Sequence, residues 1–504
     1  MTVVSRTAGV ATALPRQVPV AEPAPLPIAA TLRELASSLP RSNPTDNLGT
    51  LVSATLEVEP SSDIDPVEVF AAALYLGLEP LLWLQPDLGV AFVAVGCAWS
   101  ALAAGPARFR AIADAWDERL VGAQLHIAET AGPSTGPLLV GGLGFTGEAP
   151  QDPTWSPFGA ASMALPELLL TQTAAGRWLT SSFIAGREQD RGPEVTDAPD
   201  RLERLWSRLA ARSTSGLTTI GQRSGPTPLT VVAEYPDRPT WERLVDRFAG
   251  AVGRGRLDKV VLARRADLTS PVDIDVVAAL RRLAAGSPNS TIYAIARGGS
   301  VFLGATPERL IATQGAQFQT VAIAGSIRHA DAAADEAALA AELLTSNKDR
   351  EEHEIVVQML RTMLDPIVSE ICVAPAPVVV AFGTVQHLVT TMTGRLRDRT
   401  GILDLAGLLH PTPAVGGEPR SLALELIAEH EGFERGWYAG PLGWVGADGN
   451  GEFVVALRCA VVSGRTAALF AGCGIVADSD PAREWEESRN KMQVVASALG
   501  GVQP

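Results

Sequence analysis

Residues 468–491 read ALFAGCGIVADSDPAREWEESRNK, a passage from sheet to helix with its charged groups set out in order. Ala468-Leu469-Phe470 is a strand-like apolar run, Ala471-Gly472-Cys473-Gly474 predicts a turn of small residues, and the helix that follows bears Glu484, Glu487 and Lys491. At about 100° per residue, offsets of three and seven bring those charged groups to one helical face. Neighbouring carboxylates repel unless a cation or a proton lies between them. The face therefore suits a hard divalent ion, and the glycines would leave backbone N–H groups within reach of an anion. A solvated face held by ordinary i,i+3 and i,i+4 pairs fits the same residues, so a second site has to choose.

That second site is Ser346-Asn347-Lys348-Asp349-Arg350-Glu351-Glu352-His353-Glu354, inside a helical pattern predicted from about Asp331 to Leu364. Val356, Val357, Leu360 and Met363 form its apolar stripe, which places Lys348 and Glu352, four apart, on a shared flank. Taken singly this is a charged, exposed helical turn. Its company argues otherwise. Lys259 lies in the strand pattern Lys259-Val260-Val261-Leu262-Ala263, Glu308 in Gly304-Ala305-Thr306-Pro307-Glu308, and a turn is predicted at Ala324-Gly325-Ser326. Beyond them come His387 in Val385-Gln386-His387-Leu388, the loop His410-Pro411-Thr412-Pro413-Ala414-Val415-Gly416-Gly417, Tyr438, and Arg458 closing the predicted strand Phe453–Arg458.

In this order the segments resemble the chorismate-utilising enzymes, the family of isochorismate, salicylate, anthranilate and aminodeoxychorismate synthases. The resemblance runs from about Arg256 to Ala498. It implies an α+β fold of the aminodeoxychorismate synthase type, with two similar lobes of large antiparallel sheets flanked by helices. Periodicity alone supports only mixed α and β. Members that add water at C2 of chorismate carry a lysine where Lys259 stands, and a neutral lysine amine can take a proton from water. Members that use ammonia differ there and usually need a glutamine amidotransferase, so none is expected as a partner. Ala324 stands where the aminodeoxychorismate synthases resembling this chain carry a covalently attacking lysine, a chemistry alanine lacks. The loop from Leu409 to Arg420 is more similar to the isochorismate synthase version than to the salicylate synthase version. The implied activity is isochorismate synthase, an isomerase acting on chorismate, with salicylate synthase as the alternative.

Carried over by position, Lys259 would deprotonate water and Glu308 would protonate the departing C4 hydroxyl. Both should then be uncharged at the start, which a dry pocket favours by lowering a lysine pKa and raising a glutamate pKa. Mg2+ is the implied metal, with Glu352 and Glu487 as direct ligands and Glu484 contributing directly or through water. Arg458 matches the family arginine that grips the enolpyruvyl carboxylate, with Tyr438 beside it, and an arginine fork suits a planar carboxylate. Backbone N–H groups from Gly472 through Cys473 to Gly474 would assist at a carboxylate, and Lys348 and Lys491 would balance the glutamates. His387, Thr412, Ala324, Gly325 and Ser326 complete the expected substrate shell. A catalytically silent chorismate binder would have lost at least one of Lys259, Glu308, Glu352 or Glu487, and all four are present.

Two other patterns fail in context. Gly142-Leu143-Gly144-Phe145-Thr146-Gly147 spells GxGxxG, but Pro150 and Pro153 follow and no helix opens to receive a pyrophosphate. His353-Glu354 begins like a zinc-protease motif, yet Val357 occupies the second histidine position. With 41 basic and 56 acidic residues, net −15, nucleic acid is not an expected partner, and an anionic substrate must be drawn by local positive groups. Cys97, Cys372, Cys459 and Cys473 show no CxxC spacing, as expected of free thiols in a reducing cytoplasm. No apolar run approaches the ~20 residues of a membrane span, and the opening residues lack a signal peptide's form. We expect a cytoplasmic monomer in three parts: a flexible extension over 1–40 rich in proline, a scaffold over 41–235, and a chorismate-binding catalytic part over 236–504. The stretch Ser213–Pro228 is expected as a surface connection, and isochorismate would feed menaquinone, siderophore or salicylate-derived products alike.

Overall fold

The computed structural model describes residues 28–37, 49–58, 64–132, 134–186, 198–214, 227–328, 333–382, 385–397 and 400–502. Most strands are apolar on both faces, so most of the sheet surface has to be covered on both sides. In Leu81–Gln85 and Val90–Val95, Trp83 and Phe92 turn to one face while Leu82 and Val93 turn to the other, and all four are buried. Two cores result. One fills the space between two sheets with Trp83, Phe92, Leu139, Phe302, Trp437 and Phe470. The other lies under helices on the far face of the larger sheet, where Phe70, Leu202, Leu280 and Val495 meet Leu82, Val93, Leu303 and Leu469.

The larger sheet has 13 described strands, ordered Thr230–Tyr235, Lys259–Thr269, Thr466–Ile475, Cys459–Ser463, Ser300–Thr306, Thr291–Arg297, Leu81–Gln85, Val90–Val95, Leu168–Thr173, Gly176–Ala185, Thr50–Glu57 and Gln124–Ile127, with Gly417–Glu418 beside Lys259. The smaller has 10, ordered Val368–Val373, Val385–Leu396, Gln317–Arg328, Arg309–Gln314, Gly451–Val455, Pro441–Gly446, Leu138–Leu143, Ala161–Leu165 and Trp99–Ala103, with Val378–Phe382 also on Val385–Leu396. Among the described strand pairs only Thr50–Glu57 with Gln124–Ile127 is parallel. Each sheet takes strands from both sides of residue 235, so that boundary divides the chain without dividing either sheet.

Four times the chain crosses between the sheets within a few residues, at 95–99, 165–168, 306–309 and 455–459, and the last two crossings meet. It leaves the larger sheet at Thr306 and enters the smaller at Arg309, then leaves the smaller at Val455 and re-enters the larger at Cys459. The two links are bonded together: Val455 N–H donates to Glu308 O at 2.9 Å, and Ala305 N–H to Arg458 O at 3.2 Å. This corrects the strand expected over Phe453–Arg458, which ends at Val455, because Arg458 sits in the second link with φ at +47°. A side-chain-bearing residue in that left-handed region cannot continue a ladder.

Three further expectations change. The turn predicted at Ala471–Gly474 is the last part of the strand Thr466–Ile475, paired residue for residue with Lys259–Thr269. The helical pattern over 331–364 is two helices, Ala333–Thr345 and Asn347–Leu364, and residues 331–332 lie outside the described residues. Ser346 breaks it by capping the second helix, its Oγ accepting from Asp349 N–H at 3.3 Å. Within the extension expected over 1–40, Ile28–Ser37 is a helix with Ala29 and Leu32 buried, while 1–27 and most of the connection over 213–228 lie outside the described residues.

Because Leu32 is fully buried among Val52, Phe70 and Leu202, Leu32→Ala should lower the folding free energy by about 2–5 kcal/mol. Thermal melting of the full chain checks this, and an unchanged midpoint would refute the docking of this helix.

Candidate active site

Lys259 opens its strand, and period-two alternation sends Lys259 and Val261 to one face. Their neighbours on that face are Gly474 and Gly472, and the glycines make the space. A Cβ on Gly474 would stand 2.4 Å from Lys259 Cε and 2.8 Å from Glu352 Oε1. Into this space come Glu308 from the first link, Arg458 from the second, Glu352 from the helix Asn347–Leu364, and Glu487 and Lys491 from the helix Pro481–Leu499, all lining one cavity. Ala324, Gly325 and Ser326 line it from a bulge in Gln317–Arg328, where the pairing with Val385–Leu396 skips a residue. Gly325 has φ +71° there, and a Cβ would press within 3.0 Å of Asp349 Cβ, so the bulge both needs and hides a glycine.

Lys259 is buried, and its Nζ donates to Glu352 Oε1 at 2.7 Å. Lys491 Nζ donates to Glu487 Oε1 at 2.7 Å and to Gly472 O at 3.0 Å. Glu308 is also buried, and burial pushes its carboxyl up to about 7 against the opposing pull of Lys259, the Thr412 hydroxyl, Lys491 and Arg458. Glu308 is thus half protonated near neutral pH. Lys259 meets that cavity with the Glu352 carboxylate as its partner.

Arg458 is buried and burial lowers its guanidinium to about 10, which leaves it charged at neutral pH. It donates to Phe382 O and, at 2.7 Å, to His387 Nε2. An arginine cannot accept, so Nε2 carries the lone pair and the proton sits on Nδ1, which lies 3.2 Å from Gly325 O and 3.0 Å from Ser326 Oγ. Burial and the Arg458 charge hold His387 well below the usual histidine range, so it is neutral. Tyr438 stacks on Phe470 with centroids 5.5 Å apart and lines the same cavity. Thr412 reaches Glu308 Oε1 with its hydroxyl at 3.4 Å.

The strand register decides what the small residues offer. Val261 N–H donates to Gly416 O and Ala263 N–H to Glu431, so neither bonds its partner across the ladder, Gly474 or Gly472. The N–H and C=O of Gly472 and Gly474 therefore face the opposite edge, as the Lys491 bond to Gly472 O requires. Cys473 is the correction. Its peptide groups belong to the ladder with Leu262, and its buried thiol donates to Glu484 O at 3.3 Å, away from the cavity.

Of the three expected metal ligands, Glu352 and Glu487 line the cavity from facing helices, whereas Glu484 is buried behind it. Ligand atoms of Cys473, Glu484 and Glu487 lie within 4.8 Å of one another. Burial raises the Cys473 thiol well above its ordinary value, so it stays protonated and is no ligand for a hard cation. The Lys348 side chain lies outside the described residues. Sequence reasoning did not single out the apolar walls Val261, Ile323, Val415 and Leu457, although alternation from Lys259 points to Val261. Nor did it single out Glu431 and Arg435, which stand behind the wall and belong to no motif.

The family description "Chorismate binding enzyme" matches residues 37–500. The chain belongs to the chorismate-binding enzymes. A "Salicylate biosynthesis isochorismate synthase" of Pseudomonas aeruginosa is 38% identical over 455 residues, covering 90% of either chain. "Isochorismate synthase MenF" of Bacillus subtilis is 34% identical over 463 residues, covering 90% of this chain and 94% of the other. The solved structure of MenF, the menaquinone-specific isochorismate synthase from Escherichia coli, shares the fold at TM-score 0.72 and 24% identity, covering 94% of this chain and all of that one. No described helix of this chorismate-binding enzyme is long and apolar enough to cross a membrane.

Glu308 also makes a stability prediction. Its folded carboxyl binds a proton more tightly than the unfolded one, so stability falls as pH rises from about 4.5 through about 7. The full effect is about 3 kcal/mol. An amide cannot ionise, so Glu308→Gln should melt above wild type at about pH 8, the gap closing toward about pH 5. Melting curves at both pH values check this, and a gap independent of pH would refute it.

Proposed function

We propose that this chorismate-binding enzyme is an isochorismate synthase that adds water at C2 of chorismate with loss of the C4 hydroxyl. The observation that carries the proposal is a buried carboxyl half protonated near neutral pH in the same cavity as a buried lysine and a buried arginine. The names of the similar proteins, both isochorismate synthases, favour this reading over salicylate synthase.

In the proposed reaction Lys259 Nζ takes a proton from water as the oxygen bonds to C2. The ring double bond migrates, the C4–O bond breaks, and Glu308 gives its proton to the departing hydroxyl, which leaves as water. Base action requires Lys259 to leave the ion pair with Glu352 seen here. Arg458, fixed by Phe382 O and His387, would fork onto the enolpyruvyl carboxylate with Tyr438 alongside. Ala324 and Leu457 contribute walls without nucleophiles.

Magnesium fits the donor set, since Glu352 and Glu487 offer oxygen alone and the protonated thiol of Cys473 does not compete. Glu352 and Glu487 would hold it, with Glu484 backing Glu487. Bound there, the ion would supply positive charge for the ring carboxylate of chorismate. Cytoplasmic action as a monomer, without an amidotransferase, is part of the same proposal.

Incubation with chorismate, with and without magnesium, followed by chromatography tests the reading. Isochorismate as the product is expected, and no turnover at saturating metal would overturn it. Lys259→Ala should still bind chorismate but lose about 10²–10⁴-fold in kcat, and near-normal turnover would defeat the base assignment. Glu487→Ala should raise the magnesium concentration needed for half-maximal rate, and an unchanged requirement would remove Glu487 as a ligand.

A further inference from the structure

Behind the cavity wall, Glu431 and Arg435 form an ion pair with side chains 2% and 3% exposed. They sit where the Lys259–Thr269 strand lacks a neighbour. On that edge Gly417–Glu418 covers Lys259 and Val260, and Thr230–Tyr235 covers Arg265 to Thr269. Between those two partners Val261 N–H still donates to Gly416 O, and side chains bond the next two groups of the edge. Glu431 Oε1 accepts from Ala263 N–H at 2.8 Å, and Arg435 Nη2 donates to Val261 O at 2.8 Å.

The same guanidinium reaches a second wall. Arg435 Nη1 donates to Val415 O at 2.7 Å, in the loop whose Thr412 touches Glu308. The Arg435 backbone O accepts from Tyr438 N–H at 3.0 Å, and the guanidinium lies over the Phe145 ring at 4.2 Å. One planar group thus ties the lysine strand and the Glu308-contacting loop to a single point. A buried ion pair adds little net stability, because desolvation offsets most of the attraction. What such a fork supplies is direction: five donors at fixed angles, which an ammonium cannot copy.

We infer that Glu431 and Arg435 are positioning residues that hold Lys259 in register with Glu308 by standing in for the missing strand. The inference rests on the isochorismate synthase reading for its chemistry. Displacing a catalytic group by about 1 Å can cost about 10²-fold in rate.

The test is steady-state kinetics on the full chain, well below the melting midpoint, for wild type, Arg435→Lys and Glu431→Gln. Arg435→Lys keeps the charge and loses the fork. Its kcat should fall about 10²-fold while the chorismate KM stays within about threefold. Glu431→Gln keeps an acceptor for Ala263 N–H and should lose less, by about tenfold, with KM again held. A merely structural pair predicts a lower melting midpoint with kcat per folded molecule unchanged. So kcat within about twofold of wild type in a folded Arg435→Lys overturns the inference, as does a fall in kcat matched by an equal rise in KM. If Arg435→Lys does not fold, Glu431→Gln decides by the same criterion, and failure of both to fold also counts against it. Wild type without turnover overturns the isochorismate synthase reading instead, which keeps the two failures apart.

Discussion

The structure depends on the hydrogen-bonded pairing of two short links where the chain changes sheet. Thr306 Oγ1 donates to Val455 O at 2.5 Å, Val455 N–H to Glu308 O, and Ala305 N–H to Arg458 O, so the links hold each other. Residues there have no ladder to join, and their side chains are free to turn into the space between sheet and helices. That is how an acid and a guanidinium come to line one cavity. The left-handed conformation of Arg458, worth about 1–3 kcal/mol of strain, persists because the bonds on either side leave no alternative.

Charge balance follows from that enclosure. Lys259 with Glu352 and Lys491 with Glu487 enter as ion pairs, and Glu431 with Arg435 forms a third behind the wall. Each pair limits a desolvation cost that either member alone would bring. Glu308 is treated differently. Burial outweighs the positive groups around it, and the result is a carboxyl that holds its proton near neutral pH. The fold gives up some stability there in a way that suits a proton donor.

The charged residues of the site were legible because each sits in a local pattern that names its element. Lys259 begins an apolar run, Glu352 flanks a helical stripe, and Glu487 and Lys491 are four apart. The Asp448-Gly449-Asn450-Gly451 segment carries a local turn signal too, and it joins Pro441–Gly446 to Gly451–Val455 as a hairpin. Ala471–Gly474 misled because small residues suit a turn as well as a crowded strand. What makes it strand is the ladder to Lys259–Thr269, some two hundred residues away, and no local pattern reports a distant partner. The break at Ser346 could have been seen, since serine followed three residues later by an acid is a capping signature.

Residue types and spacings in this chain settle which chemistry is available: a lysine in a strand, acids on two helices, an arginine near a hairpin. They do so because hydrophobic period and capping act over a few residues, where the chain is its own context. Which of those groups meet, which is dry enough to keep a proton, and which peptide groups of Gly472 to Gly474 face inward were decided by the folded molecule. Burial and register are sums over contacts between segments far apart along the chain, and they come into being only when the sheets close.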